Sequence, residues 1–217
     1  MTKKVAVILS GCGFKDGGEI YEATLTLLAL DEADAVVQCF APDMPQMHVV
    51  NHLTGAEMPE SRNVLVEAAR LARGNVKPVT DAKVADFDAL IIPGGFGAAK
   101  NLCDFAVKGS DMTVRPDVLA FARGMHAAGK PVGLVCIAPA MAPKIGGEGT
   151  WYTIGNDPGT AAAIDAMGGR HVACAVDDCV VDRARKIVTT PAYMYPARIR
   201  EARAGIRKLV EAVLSMA

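Results

Sequence analysis

The chain has 217 residues, 51% hydrophobic and 22% charged, and its 23 Lys and Arg against 24 Asp and Glu leave a net charge of −1. That mix is ordinary for a globular protein and unlike a disordered one, and a chain of this length buries a full core without disulfide or metal staples. The near-neutral balance offers no footprint for a phosphate backbone, 5% aromatics give few platforms for stacking bases, and no apolar run reaches the ~18 residues of a membrane span.

From the N-terminus, Lys3 and Lys4 precede a short apolar run, residues 5–9, that ends at Ser10 and Gly11. An export signal needs about 7–15 apolar residues, so this run reads as a buried strand. Residues 35–40, 89–92 and 132–135 are further short runs rich in Val and Ile without polar alternation, as in parallel strands covered on both faces. Helical patterns lie between them. Residues 19–30 carry Ile20, Ala23, Leu27 and Leu30 on one stripe, and residues 61–73 open on Ser61 as N-cap. Residues 116–128 open on proline and stop at Gly129, and residues 196–216 place Ile199, Ile206, Leu209, Val210 and Val213 on one face. Residues 179–181 and 186–189 flank 182–185 as a local hairpin. This alternation predicts an open, mostly parallel α/β sheet with helices on both faces, in one domain over residues 1–217.

Six cysteines (12, 39, 103, 136, 174 and 179) are scattered without a disulfide framework. Reduced thiols and a cytosolic location are the expectation. The stretch 42–60, with Pro42, Pro45, Gly55 and Pro59, is too long for a plain connector and carries His48 and His52. Those two histidines are four apart, but the prolines argue against a helix and no third ligand is near, so no metal is expected. Cys174 and Cys179 likewise lack a second pair.

Ligands of open α/β sheets bind beyond the carboxyl ends of the strands. Cys136 stands where the run 132–136 turns into a helical segment, the geometry of a nucleophile elbow, and a helix N-terminus there would lower its thiol pKa. A buried structural cysteine is the plain alternative. Pro143 predicts that the following helix is short or kinked. After the third strand, Pro93-Gly-Gly-Phe-Gly97 allows close backbone approach. Its Gly95 and Phe96 N–H groups are candidate oxyanion donors, against a tight turn as the structural alternative. Glu19 opens the first helix either as a simple cap or as a carboxylate that reaches Cys136 and moves a proton.

Several stretches in order, namely Gly11-Cys-Gly-Phe, Asp16-Gly-Gly-Glu-Ile, Val49-Val-Asn-His-Leu-Thr-Gly, Arg62-Asn-Val-Leu-Val-Glu, Pro93-Gly-Gly-Phe-Gly-Ala-Ala-Lys-Asn-Leu, Cys136-Ile-Ala-Pro and Lys186-Ile-Val-Thr-Thr-Pro-Ala-Tyr-Met, resemble the ElbB-type proteins. These are isoprenoid-biosynthesis glyoxalases of the class I glutamine-amidotransferase-like, PfpI-related superfamily. The resemblance implies a flavodoxin-like three-layer sandwich, Cys136 as nucleophile, Glu19 as its carboxylate partner, and cofactor-free glyoxalase activity in a homodimer.

One departure narrows the chemistry. Hydrolytic relatives in the superfamily place His directly after the nucleophile or supply one from a later strand, whereas here Ile137 follows Cys136, the stretch 151–156 has no His, and His171 is not placed by any motif. A leaving amine then lacks an acid, so small 2-oxoaldehydes are favoured over amides. Glyoxal, or methylglyoxal, would add to Cys136 with its oxyanion near the Gly95 and Ile137 N–H groups, and Glu19 would shuttle the proton on the way to the 2-hydroxy acid. A non-catalytic, redox-sensing thiol protein on the same scaffold is the alternative. The methionine-rich stretch 42–60 is expected to supply dimer surface and, through Asn51 and His52, to shape the pocket; the rival is that both only satisfy the loop's own backbone.

Overall fold

The apolar runs at 5–8, 89–92 and 132–135 form the centre of the sheet, where side chains on both faces are sealed from water. The structure, a computed structural model, describes residues 2–217. In chain order its strands are β1 (Lys4–Ile8), β2 (Val36–Ala41), β3 (Val76–Pro78), β4 (Ala89–Ile92), β5 (Val132–Val135), β6 (Thr150–Tyr152), β7 (Gly169–His171), β8 (Val180–Asp182) and β9 (Ile187–Thr190). The helices are α1 (Ile20–Glu32), α2 (Val64–Leu71), α3 (Phe105–Lys108), α4 (Pro116–Ala127), α5 (Ala142–Gly146), α6 (Pro158–Asp165) and α7 (Ile199–Met216). Seven strands form one sheet in the order β3-β2-β1-β4-β5-β9-β8, parallel except for β8, while β6 and β7 pair alongside.

Alternation along each strand divides the core into two layers. Ala6, Ile8, Leu90, Ile92 and Leu134 face α4, α5 and α6 through Phe121, Met125, Ile145 and Ile164. Val5, Val7, Ile91 and Val188 face α1, α2 and α7 through Ala23, Leu30, Val64, Leu209 and Val213. This is the flavodoxin-like sandwich, and the predicted C-terminal hairpin is β8–β9, whose second strand also continues the parallel sheet beside β5.

Local expectations are corrected in two places and met in a third. The cap of α2 is Asn63, whose Oδ1 accepts the Val66 N–H at 3.1 Å; Ser61 stands outside the helix. Ile20 and Ile199 are about half exposed, because each helix turns a neighbouring stripe inward: Glu22, Thr26 and Ala29 in α1, Ala202 and Gly205 in α7. Pro143 does interrupt the segment after Cys136, which runs as a 3₁₀ turn over Ala138–Met141 before α5 begins. Among the described residues no helix is long and apolar enough to cross a membrane.

Candidate active site

Cys136 caps β5 with φ 62°, a left-handed conformation that L-residues with a Cβ adopt rarely and that marks a constrained position. Its N–H is tied to the Thr190 carbonyl of the neighbouring strand at 2.9 Å. The side chain is thereby turned away from the sheet, toward the loop after β4. Ala192, just past β9, is also forced to positive φ (41°), and this turn brings the Tyr193 N–H toward the site.

The carboxylate that meets the thiol is Glu22, in the first turn of α1, and Glu19 is not that partner. Glu22 is fully buried. Its Oε2 accepts the Gly94 N–H at 3.0 Å and its Oε1 the Tyr193 N–H at 3.3 Å. Gly94 is the hinge of this contact. A Cβ placed on it would stand 2.5 Å from the Cys136 Cβ and 2.6 Å from the Glu22 Oε2, so only a glycine lets the three groups converge. Burial raises the Glu22 carboxyl to about 8, outweighing the thiol and backbone hydrogen bonds that pull it down. At neutral pH the carboxyl is therefore protonated.

Cys136 was expected to have a lowered pKa. Burial, and next the Glu22 carboxyl, push it well above an ordinary thiol instead, while the N–H groups of Gly95 and Ile137 pull against that rise. Two acids share one dry site, and ionising either opposes ionising the other.

Glu19 occupies a different position. Its Oε2 accepts the Glu22 N–H at 2.6 Å, the N-cap bond of α1, and its half-buried carboxyl, raised by desolvation, lines the cavity above Cys136. Gly95, at φ +94°, is pressed against it: a Cβ there would lie 2.3 Å from the Glu19 backbone nitrogen. The two proposed oxyanion donors separate here. The Gly95 N–H points at the sulfur, but the Phe96 N–H is engaged by the Phe14 carbonyl at 2.8 Å. Ile137 supplies the second donor toward the sulfur.

The cavity has a volume of about 340 Å³, and its walls are mainly Phe14, Phe96, Ala99, Phe105, Ala106 and Met194, with Glu19, Thr160 and Tyr193 as polar members. Asn51 and His52 do not line it. Asn51 Oδ1 accepts the Leu53 and Thr54 N–H groups at 3.0 and 3.3 Å and so organises its own turn. His52 packs edge-on against Phe14 with ring centroids 5.3 Å apart, and thus supports the wall from behind. Its Nδ1 meets the Val50 carbonyl at 3.0 Å and its Nε2 the Lys15 N–H at 3.3 Å, which defines the Nδ1–H tautomer. His171 lies on β7 against Tyr152, its Nε2 3.5 Å from the Ile154 N–H.

Sequence reasoning missed Glu22, Tyr193 and Asn101. Asn101 is buried in a π-helical turn (Ala98–Leu102), where its Nδ2 donates to the Ser10 and Asp16 carbonyls and its Oδ1 accepts the Met47 N–H. Glu22 did leave a trace: an acid aligned at i, i+4, i+7 with Thr26 and Ala29 on a small-residue face.

No family model matches the sequence. A human protein named glutamine amidotransferase-like class 1 domain-containing protein 3, mitochondrial, is 45% identical over 98% of this chain and 83% of its own length. The rat ES1 protein homolog, mitochondrial, is 44% identical over 98% of this chain and 84% of its own. Among solved structures, an isoprenoid biosynthesis protein with an amidotransferase-like domain from Ehrlichia chaffeensis superposes with a TM-score of 0.92 at 37% identity, covering 99% of both chains. Drosophila melanogaster DJ-1beta shares the fold at 19% identity, with a TM-score of 0.56 over 100% of this chain and 96% of its own. The cytosolic expectation is overturned by the curated relatives, which are named mitochondrial. Unpaired cysteines argue only against an oxidising compartment, and a reducing organelle interior satisfies that argument equally. On sequence identity over nearly its whole length, and with the DJ-1/PfpI flavodoxin-like architecture, the chain belongs to the glutamine amidotransferase-like class 1 family that includes the ES1 proteins.

Proposed function

We propose that the protein is a cofactor-independent glyoxalase that converts glyoxal, and methylglyoxal, with water to the 2-hydroxy acid. The observation that carries this is the closed unit of Cys136, Glu22 and the Gly95 and Ile137 N–H groups at the floor of an apolar cavity. The sulfur adds to the aldehyde carbon, its proton passes to Glu22, and the oxyanion is held by the two N–H groups, giving a hemithioacetal once protonated. Glu22 then takes the proton from that carbon and returns it to the neighbouring carbon. One carbon is oxidised as the other is reduced, so no external oxidant is needed. The product is a hydroxyacyl thioester. Water attacks its carbonyl, the C–S bond breaks, and glycolate leaves with the thiol restored. Glu19, facing the cavity, orients hydroxyl groups or water. The shuttle role thus moves from Glu19 to Glu22.

Because Glu22 must be ionised to accept the thiol proton, the rate is expected to climb as pH rises through about 8. No His stands beside Cys136, so the His-based acid–base exchange that amide hydrolysis uses is missing and proton transfer falls to Glu22 alone, which supports aldehydes over glutamine. We further propose that the protein acts as a homodimer without metal or cofactor. Incubation with glyoxal should yield glycolate, and Cys136→Ala should abolish it; retained turnover in that variant overturns the mechanism.

A second reading has its own support. A protonated Glu22 is placed to donate to a sulfinate oxygen on Cys136, as a thiol sensor would require. Intact mass after mild peroxide distinguishes it: two oxygens gained at Cys136, with no glyoxal turnover, favours the sensor.

A further inference from the structure

The cavity above Cys136 is walled almost wholly by apolar side chains, among them Phe96, Phe105, Ala106 and Met194. Its size is the second observation. Glyoxal is two carbons and two oxygens, whereas the cavity of about 340 Å³ lies within the ~300–1,000 Å³ typical of sites that enclose much larger ligands. Phe96, Phe105 and Ala106 are among the apolar side chains that line the cavity.

Resting on the reading of Cys136 as an aldehyde nucleophile, we propose that the site takes 2-oxoaldehydes carrying an apolar aryl or branched alkyl substituent. The substituent lies against Phe96, Phe105 and Ala106.

The test uses two α-bromo ketones, phenacyl bromide and bromoacetone, on the intact protein. In each, the Cys136 sulfur displaces bromide, an S–C bond forms, and the thiol proton leaves as HBr. Peptide mass reads the rate at Cys136, normalised to a free thiol. Burial of the phenyl ring should favour phenacyl bromide about tenfold, and Ala106→Trp, at the exposed rim, should remove that preference. Methyl methanethiosulfonate, which carries no such substituent, should react equally with wild type and Ala106→Trp. Equal rates for the two ketones, or an unchanged preference in Ala106→Trp, overturns the proposal. Phenylglyoxal and glyoxal turnover are then compared: if neither reacts while the labelling preferences hold, the glyoxalase reading fails and the assignment of the pocket stands.

Discussion

Two loops bring polar residues to the carboxyl end of the sheet, and they are built on opposite plans. Residues 10–19 are laced into the loop after β4 by backbone bonds: Phe96 N–H to Phe14, Gly97 N–H to Gly17, and Glu19 N–H to Gly94, at 2.8–3.0 Å. Residues 42–60 largely satisfy themselves, through the Asn51 turn, the Thr54 hydroxyl and a Val50–Glu57 bridge, and leave Leu53 exposed at the tip. The first loop delivers groups to Cys136; the second supports one wall of the cavity through His52 and Phe14. Chemistry here follows from interlocked backbone, and a loop rich in polar side chains does not by itself make a site.

The contrast is broken most severely at Glu22. Glu22→Gln should lower glyoxal turnover a hundredfold or more, as loss of a positioned acid–base does, and should abolish the rise near pH 8. Its stability has a defined sign. The folded carboxyl titrates near 8 and the unfolded one near 4.5, so the folded state holds the proton more tightly. The stability this gives the wild type is complete below about 4.5 and is lost as pH rises through 8, by the order of 1 kcal/mol per unit. Denaturant midpoints of Glu22→Gln relative to wild type should therefore improve steadily across that window; a constant offset would show that Glu22 is ionised in the fold. Glu19→Ala should keep a slope of the same sign, remove a helix cap worth about 1 kcal/mol, and bring the upper end of that window down, because the Glu19 carboxyl helps to raise Glu22.

Next in size is Gly94→Ala. The added methyl meets the Cys136 Cβ, Glu22 Oε2 and Val135 carbonyl at 2.5–2.7 Å, and overpacking of this kind costs about 3 kcal/mol. Thermal unfolding and the rate of Cys136 alkylation should both change; a variant that keeps wild-type values in both would mean that the thiol and carboxyl do not depend on this close approach. The smallest effect belongs to the outer loop. Asn51→Ala should leave Cys136 alkylation unchanged and cost about 1 kcal/mol or less, the net worth of exposed hydrogen bonds. A slowed alkylation would restore Asn51 to the pocket.

β1, β4 and β5 were legible because burial on both faces forces unbroken apolar runs, β2 because it keeps an apolar composition although its first half is partly exposed, and the Cys136 elbow because a reactive residue ended one of these runs. β3 was not, since Val76-Lys-Pro78 carries a charge and a proline in three residues, and β6 and β7 are too short for any period to register. Glu19 looked like the partner of Cys136 because a carboxylate at a helix start faces the strand ends by default. Glu22 is selected by a backbone approach through Gly94 that joins residues more than seventy positions apart, and local pattern carries no record of it. Asn51 and His52 drew attention by composition, and composition does not report direction.

Asn101 has a consequence for motion. All its amide hydrogens and its oxygen are engaged, so that one side chain ties Ser10, Asp16 and Met47 together. The two contrasted loops cannot lift off independently at their roots. Any opening there must break this joint as a whole, and the backbone amides around it should exchange with solvent as one cooperative unit, while the tip at Leu53–Gly55 exchanges on its own. A ligand reaching Cys136 would then enter the cavity with the loop roots held shut.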